Sequence, residues 1–390
     1  MHYLDHNATS PLRPESMAAL TAALAVGGNA SSIHARGRAA RALINDAQEK
    51  IALLANATAH DIIFTSGATE AANLALAGAV EGAINQHDAD KKVARITRLF
   101  VSSIEHSAVL APARHLAERA PGVRLEILPV TADGVLDLEA LRVALREGKG
   151  RALVAVMAAN NETGVIQPLE EISRLVREAG ALLLVDAVAA AGKISLDASL
   201  CDYMLLSAHK IGGPQGVGAL IVAKGAPLAA QLLGGGQQMG LRAGTENLSG
   251  IAGFAAAAHS VRDGEGERAR IAHLRDRFET LLKAAIPEAL IFGEAAPRVI
   301  GTSNFALPGI ASATALIALD LDGVWVSAGA SCSSGKVAAS HVLEAMNIEY
   351  ALASCALRAS FGWNSDMADI EAAITALTKL WQRKTTLEAA

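Results

Sequence analysis

The sequence predicts an α/β fold around a mainly parallel sheet, with a second, smaller α+β unit late in the chain. Three observations carry this. Short apolar runs alternate with helical segments along most of the chain. The runs end on polar or glycine-rich turns, as buried strands do. Near residue 262 the texture changes to a long, charged, periodic segment.

In order, the apolar runs are 62–65, 99–102, 152–157, 181–185, 203–206 and 219–222. Their brevity and Val/Leu/Ile content mark strands. The last two are close enough to form a hairpin, so the sheet is expected to be mixed. Residues 169–179 read as a helix, with Pro168 suited to its start. The most polar stretch, 85–92, reads as a surface connection. Residues 262–283 read as one helix leading into the smaller unit. That unit is expected to hold strands near 299–306 and 323–327, then helices at 340–346 and 366–387. The expected division is 13–261 for the large unit, and 1–12 with 262–390 for the small one.

Composition narrows the function classes. Of the 390 residues, 52% are hydrophobic, so a large core is attainable and wholesale disorder is excluded. Only 3% are aromatic, so that core must come from Ala, Leu, Val and Ile. A net charge of −5 argues against a nucleic-acid partner. No apolar run reaches the roughly 18 residues of a membrane span. The start, Met1-His2-Tyr3-Leu4-Asp5-His6, lacks the basic and apolar blocks of a secretion signal. The three cysteines, Cys201, Cys332 and Cys355, are too scattered for a disulfide framework, and a cytoplasmic location is expected.

Ligands of open α/β sheets bind at the carboxyl ends of the strands. Here those ends carry Ser66-Gly67-Ala68-Thr69-Glu70, Glu105-His106, Asn160-Asn161-Glu162, Asp186 and Ser207-Ala208-His209-Lys210. Each has a plain structural reading alone: a helix cap, a satisfied histidine, a salt-bridge partner, a surface lysine. Together they predict one polar site. Small residues at a helix start can cradle a phosphate. A carboxylate after four aliphatic residues needs a strong partner, such as a protonated pyridine nitrogen. Lys210, between a buried strand and a glycine loop, is a candidate Schiff-base amine. His106 offers a stacking surface and a proton. This set matches the needs of pyridoxal 5′-phosphate. Cys332 lies among small polar residues bounded by Gly329 and Gly335, which suits a reactive thiol. Cys201 and Cys355 have apolar neighbours and read as buried fillers.

These motifs resemble the cysteine desulfurases of the NifS/IscS group, within the fold-type I pyridoxal phosphate enzymes of aminotransferase class V. The resemblance spans nearly the whole chain. It includes Tyr3-Leu4-Asp5-His6-Asn7-Ala8-Thr9, Phe64-Thr65-Ser66-Gly67-Ala68-Thr69-Glu70, Glu105-His106, Asn160-Asn161-Glu162 and Ser207-Ala208-His209-Lys210. It continues through Gly234-Gly235-Gly236-Gln237, Arg242-Ala243-Gly244-Thr245-Glu246-Asn247, Ala330-Ser331-Cys332-Ser333-Ser334 and Leu357-Arg358. It implies a large domain with a mixed, mainly parallel seven-stranded sheet flanked by helices.

By this resemblance Lys210 holds the cofactor and then moves the Cα proton. Asp186 pairs with the pyridine nitrogen, and His106 stacks on the ring as acid and base. Ala68, Thr69, Ser207 and His209 hold the phosphate, joined by Thr245 from the partner subunit of a homodimer. Asn161 and Arg358 contact cofactor and substrate, with Arg358 on the substrate carboxylate. Two positions depart from the family pattern. Ala189 stands where a Gln normally donates to the cofactor's phenolic oxygen, and Gln238 stands where Glu is usual.

The implied reaction takes sulfur from L-cysteine, releases alanine and leaves a persulfide on Cys332 for an acceptor such as an iron–sulfur scaffold protein. No metal site is assigned, although Cys332 could ligate a transferred iron–sulfur cluster. The alternatives are a selenocysteine lyase or aminotransferase of the same fold, and a degenerate, non-catalytic binding or regulatory member. Cys332 disfavours the aminotransferase. Intact Lys210, Asp186, His106 and Cys332 disfavour the degenerate member, which only Ala189 supports.

Overall fold

Every one of the six apolar runs becomes a strand of a single sheet. The structure is a computed structural model and describes residues 1–89, 94–328 and 340–389. After a two-residue strand, β1 (His2–Tyr3), the sheet takes β2 (Ile62–Thr65), β3 (Ile96–Ser102), β4 (Arg124–Leu128), β5 (Arg151–Met157), β6 (Leu182–Asp186), β7 (Tyr203–Ser207) and β8 (Gly218–Val222). Their spatial order is β2-β8-β7-β6-β5-β3-β4. The strands from β7 to β4 are parallel, whereas β8 runs antiparallel to both its neighbours, so the sheet is mixed as expected. The sequence pattern did not reveal β4. It is an edge strand whose residues are mostly exposed, so it lacks the apolar run of its buried neighbours.

Side chains alternate along each strand and build two cores. Phe100, Val154, Leu183, Met204 and Ile221 point to one face, and Leu99, Leu153, Leu184, Leu205 and Leu220 to the other. The first face is covered by α2 (Ala35–Ala55), by three later helices described below, and, through them, by α1 (Pro14–Val26). The second is covered by α3 (Ala68–Ala89) and α4 (Ser107–Arg119). Because α3 runs to Ala89, residues 85–88 are helical, not the start of a connection, and 90–92 lie outside the described residues. Further along come α5 (Leu138–Arg146) and α6 (Leu169–Glu178), which follows Pro168 as expected.

The segment 262–283 is not one helix. α7 (Leu248–Asp263) ends at Gly264, whose ψ of 50° is not helical, and α8 (Glu265–Ala285) starts anew. α5, α6 and α7 are the three further helices on the first face, and α7 also packs on α1 and α2. Beyond α8 lie β9 (Leu290–Ile291), β10 (Thr302–Ala306), α9 (Ser312–Leu321), β11 (Val324–Trp325), α10 (His341–Ala345), α11 (Tyr350–Ala353), β12 (Ala356–Ser360) and α12 (Met367–Ala389). β12, β10 and β9 form an antiparallel sheet, and β1 pairs parallel with β11. A separate core gathers here around Phe278, whose ring lies 5.5 Å from that of Phe305 and 5.6 Å from that of Phe361. Leu4 is buried in the same core, so the first residues of the chain are held by its last third. No helix among the described residues is long and apolar enough to cross a membrane.

Candidate active site

The carboxyl ends of β2, β3, β5, β6 and β7 meet at one edge of the sheet, and a cavity of about 760 Å³ opens there. It brings together Ala68, Thr69, His106, Asn161, Asp186, Ser207, His209, Lys210 and Arg358, and Ala189 also lines it.

At β2, Ser66 and Gly67 turn the chain into α3. The Glu70 carboxylate accepts the Ser66 N–H at 2.8 Å and binds Arg242 through Nε at 2.7 Å and Nη2 at 3.1 Å. The start of this 22-residue helix therefore faces the cavity in a fixed orientation. Gly218 is required beneath it, because a Cβ there would lie 2.7 Å from Gly67 and from the Leu206 carbonyl.

At β6, Asp186 is 7% exposed, and among the described residues its carboxylate accepts one hydrogen bond, from the Val188 N–H at 2.9 Å. Burial pushes this carboxyl up to about 6, against the opposing pull of that hydrogen bond and of Lys210. A buried carboxylate so sparsely satisfied suits a cationic ring nitrogen.

At β7, the backbone tightens into a 3₁₀ turn over Ala208–Lys210. The Lys210 Nζ donates to the Ala8 carbonyl at 3.0 Å and to that of Asn7. Burial, then the Arg358 guanidinium, lowers this amine to about 8, while Asp5 and Asp186 oppose the fall. His209 Nδ1 meets Thr9 Oγ1 at 3.2 Å, and burial followed by Lys210 lowers the ring to about 4, so it is neutral.

At β3, His106 caps α4, its Nδ1 accepting the Ala108 N–H at 3.1 Å. The neutral ring therefore carries its proton on Nε2. Burial, Lys210 and His341 all disfavour a second proton. The preceding Glu105 is buried, accepts the Met157 N–H at 2.6 Å, and leaves Oε2 without a partner among the described residues. Burial and the nearby Asp186 raise its carboxyl far above the usual range.

From the small core, β12 delivers Arg358, which is 4% exposed. Its Nη2 donates to Asp5 at 2.8 Å and its Nη1 to the Asn161 carbonyl at 3.0 Å. Its buried Nε has no partner among the described residues.

Thr245 is not in this cavity. Within one chain it is exposed and lines a second cavity of about 300 Å³ beside Leu24, Asn29 and Ala30. Cys332 lies outside the described residues. Cys201 and Cys355 are both buried, and burial pushes the Cys201 thiol up to about 12. Gln238 has a physical reason. Its Oε1 accepts the Phe64 N–H at 2.8 Å and its Nε2 donates to Glu246 at 3.3 Å. A Glu there would set two carboxylates against each other.

Two wall residues, Lys193 and Asn7, together with Asp5, which binds Arg358, received no role from the sequence. Lys193 donates to Asn7 Oδ1 at 2.6 Å, and Asp5 holds Arg358. The available signals were Asp5 and Asn7 inside the N-terminal motif and the Gly192-Lys193 pair soon after Asp186.

A family model for aminotransferase class V matches residues 2–373. A cysteine desulfurase of Cereibacter sphaeroides is 40% identical over 373 residues, covering 95% of this chain and 92% of its own. An IscS-like cysteine desulfurase of Mycobacterium tuberculosis is 39% identical over 381 residues, covering 97% and 95%. Among solved structures, a NifS-like protein superposes with a TM-score of 0.87 at 30% identity, covering 98% of this chain and all of that one. A NifS-like protein of Rickettsia africae gives a TM-score of 0.84 at 31% identity, covering 98% and 99%.

Proposed function

From the premise that this chain belongs to the aminotransferase class V family, we propose that it is a pyridoxal-phosphate-dependent cysteine desulfurase. The observation that carries the reading is the convergence of Lys210, Asp186, His106 and a free helix start on one cavity that also contains Arg358.

The residues present fit the cofactor. The start of α3 at Ala68 and Thr69, with Ser207 and His209, would hold its phosphate. Asp186 would hold the ring nitrogen, and His106 would cover the ring. When bound, pyridoxal phosphate supplies an electron sink for the bond broken at the substrate's Cα.

The chain's own groups do the rest. Arg358 binds the substrate carboxylate, with Asp5 fixing one edge of its guanidinium. Lys210, with its amine lowered to about 8, has a substantial neutral fraction near neutral pH and takes the Cα proton on Nζ. The Cys332 thiolate attacks the substrate sulfur. An S–S bond forms as the Cβ–S bond breaks, and the electron pair passes to the departing carbon skeleton. Protonation of that skeleton yields alanine, and Cys332 keeps the sulfur as a persulfide for an acceptor protein such as an iron–sulfur scaffold.

The reading includes a homodimer in which Thr245 completes the partner's phosphate site. Its support is the exposed position of Thr245 away from its own chain's cavity. It also includes a division into 13–261 and 1–12 with 262–390, supported by the separate cores, and a cytoplasmic location.

The test is to load the protein with L-cysteine labelled at sulfur and map the label. It is expected on the peptide containing Cys332 and absent from Cys332→Ala. Label on another cysteine, or equal turnover in Cys332→Ala, would overturn the assignment.

A further inference from the structure

Asn7 is 4% exposed and uses every one of its polar groups. Its backbone N–H donates to Ser360 Oγ at 2.9 Å. Its side-chain Nδ2 donates to the Asn161 carbonyl at 3.1 Å and to Thr302 Oγ1 at 3.0 Å. Its Oδ1 accepts from Lys193 at 2.6 Å, and its carbonyl accepts from Lys210. With both Nδ2 protons committed, the amide has one orientation, in which Oδ1 faces Lys193. A flipped amide would set its oxygen against the Asn161 carbonyl oxygen.

Lys193 reaches this point from the turn after β6. Gly192, at φ +71°, makes the turn where a Cβ would strike Val261 at 2.8 Å. The groups facing Lys193 include the cations Lys210 and Arg358, and the contact it makes is to a neutral oxygen. Burying a lysine against a neutral oxygen beside two other cationic side chains costs stability.

We propose that Lys193 is a positioning residue that acts through Asn7, locking the carbonyls of Asn7 and Ala8 as the resting place of the Lys210 Nζ whenever that amine is free and protonated. This rests on the reading of Lys210 as the amine that carries the cofactor and the Cα proton. The carbonyl pair favours the ammonium that forms when Lys210 takes a proton. It counteracts Arg358, which disfavours that charge. Asp5 on the N-terminal segment and Asp186 on β6 also favour it, and His106 on α4 and His209 lie in the same cavity.

The direction of one shift separates this role from a mere charge effect. Full-length protein freed of cofactor is dimethylated with formaldehyde and a mild reductant across a pH series. Mass spectrometry of the Lys210 peptide gives the pH midpoint of its reactivity. Lys193→Met, similar in size, removes the contact to Asn7. Loosened carbonyls hold the ammonium less well, so the midpoint is expected to fall by about half to one unit. Loss of a neighbouring charge alone would raise it, or leave it unchanged where Lys193 is already neutral. A rise, or no change, overturns the proposal. In an Asn7→Ala background Lys193→Met should add no further shift, and a second full shift would mean that Lys193 acts without Asn7. If Asn7→Ala does not fold, the sign in Lys193→Met alone decides. The labelling uses no cysteine, so its outcome is separate from that of the sulfur-transfer reading.

Discussion

The sheet-edge wall of the cavity and the wall opposite it are assembled in different ways. Ala68, His106, Asp186, Ser207 and Lys210 each end a strand or follow one by a few residues, so strand geometry alone brings them to one edge. The opposite wall joins Asn7 from the start of the chain with Arg358 near its end, held by Asp5 353 positions away, and with Lys193 from a turn. The first wall carries the groups proposed to bind cofactor and move protons. The second carries those proposed to place substrate and Lys210. If chemistry belongs to one wall and placement to the other, substitutions in the two should fail differently.

The largest effect is expected at Lys210. Lys210→Ala should reduce turnover of L-cysteine by at least about 10³-fold, because both proton transfer and cofactor attachment are lost. Steady-state rates check this, and residual activity within tenfold of wild type would remove Lys210 from the chemistry. On the opposite wall, Arg358→Met should lower kcat/KM by about 10–100-fold, the worth of charge-assisted hydrogen bonds to a carboxylate. Most of the loss should fall on KM. A pure kcat defect would show that Arg358 does more than place substrate.

These walls also differ in what their sequence discloses. The sheet edge is readable because an apolar run announces each strand and the polar group comes next. Asp186 after 182–185 is the plainest case. The edge strand β4 is not, since half-exposed residues carry no such announcement. In the sequence Lys193 is an unremarkable residue, and Asn7 belongs to a motif that gives it no role. Only the crossing of the N-terminal segment over the small core, fixed by Leu4 and by the Asn7–Ser360 hydrogen bond, brings them together. Gly264 is a similar lesson, because charge periodicity runs straight through a backbone break.

A stability measurement sharpens the contrast at Lys193. Burial, then Lys210 and Arg358, lowers its amine to about 7 from an ordinary 10.5. The unfolded chain therefore binds more protons than the folded one between these values, and cofactor-free protein should gain stability as pH rises from 7 to 9. Lys210, lowered to about 8, contributes in the same direction. Urea midpoints should rise over that window in wild type and clearly less in Lys193→Met. An unchanged slope would show that Lys193 is not desolvated in the folded chain.

The smallest effect is expected at Ala189, which lines the cavity with a side chain that cannot donate a hydrogen bond. Ala189→Gln adds one hydrogen-bond donor, worth roughly one pKa unit if it reaches the cofactor's phenolic oxygen. A spectrophotometric titration of loaded protein should shift to lower pH by about that amount. Superimposable curves would mean that Ala189 faces elsewhere or that a water already fills the role.

The account rests on the removal of sulfur from L-cysteine, and one measurement addresses it directly. Purified protein loaded with pyridoxal phosphate is incubated with L-cysteine and a thiol reductant, and sulfide and alanine are quantified over time. The two are expected to accumulate in equal amounts, and neither is expected to form with Lys210→Ala. Pyruvate and ammonia in place of alanine, or no consumption of cysteine by the loaded protein, would contradict it.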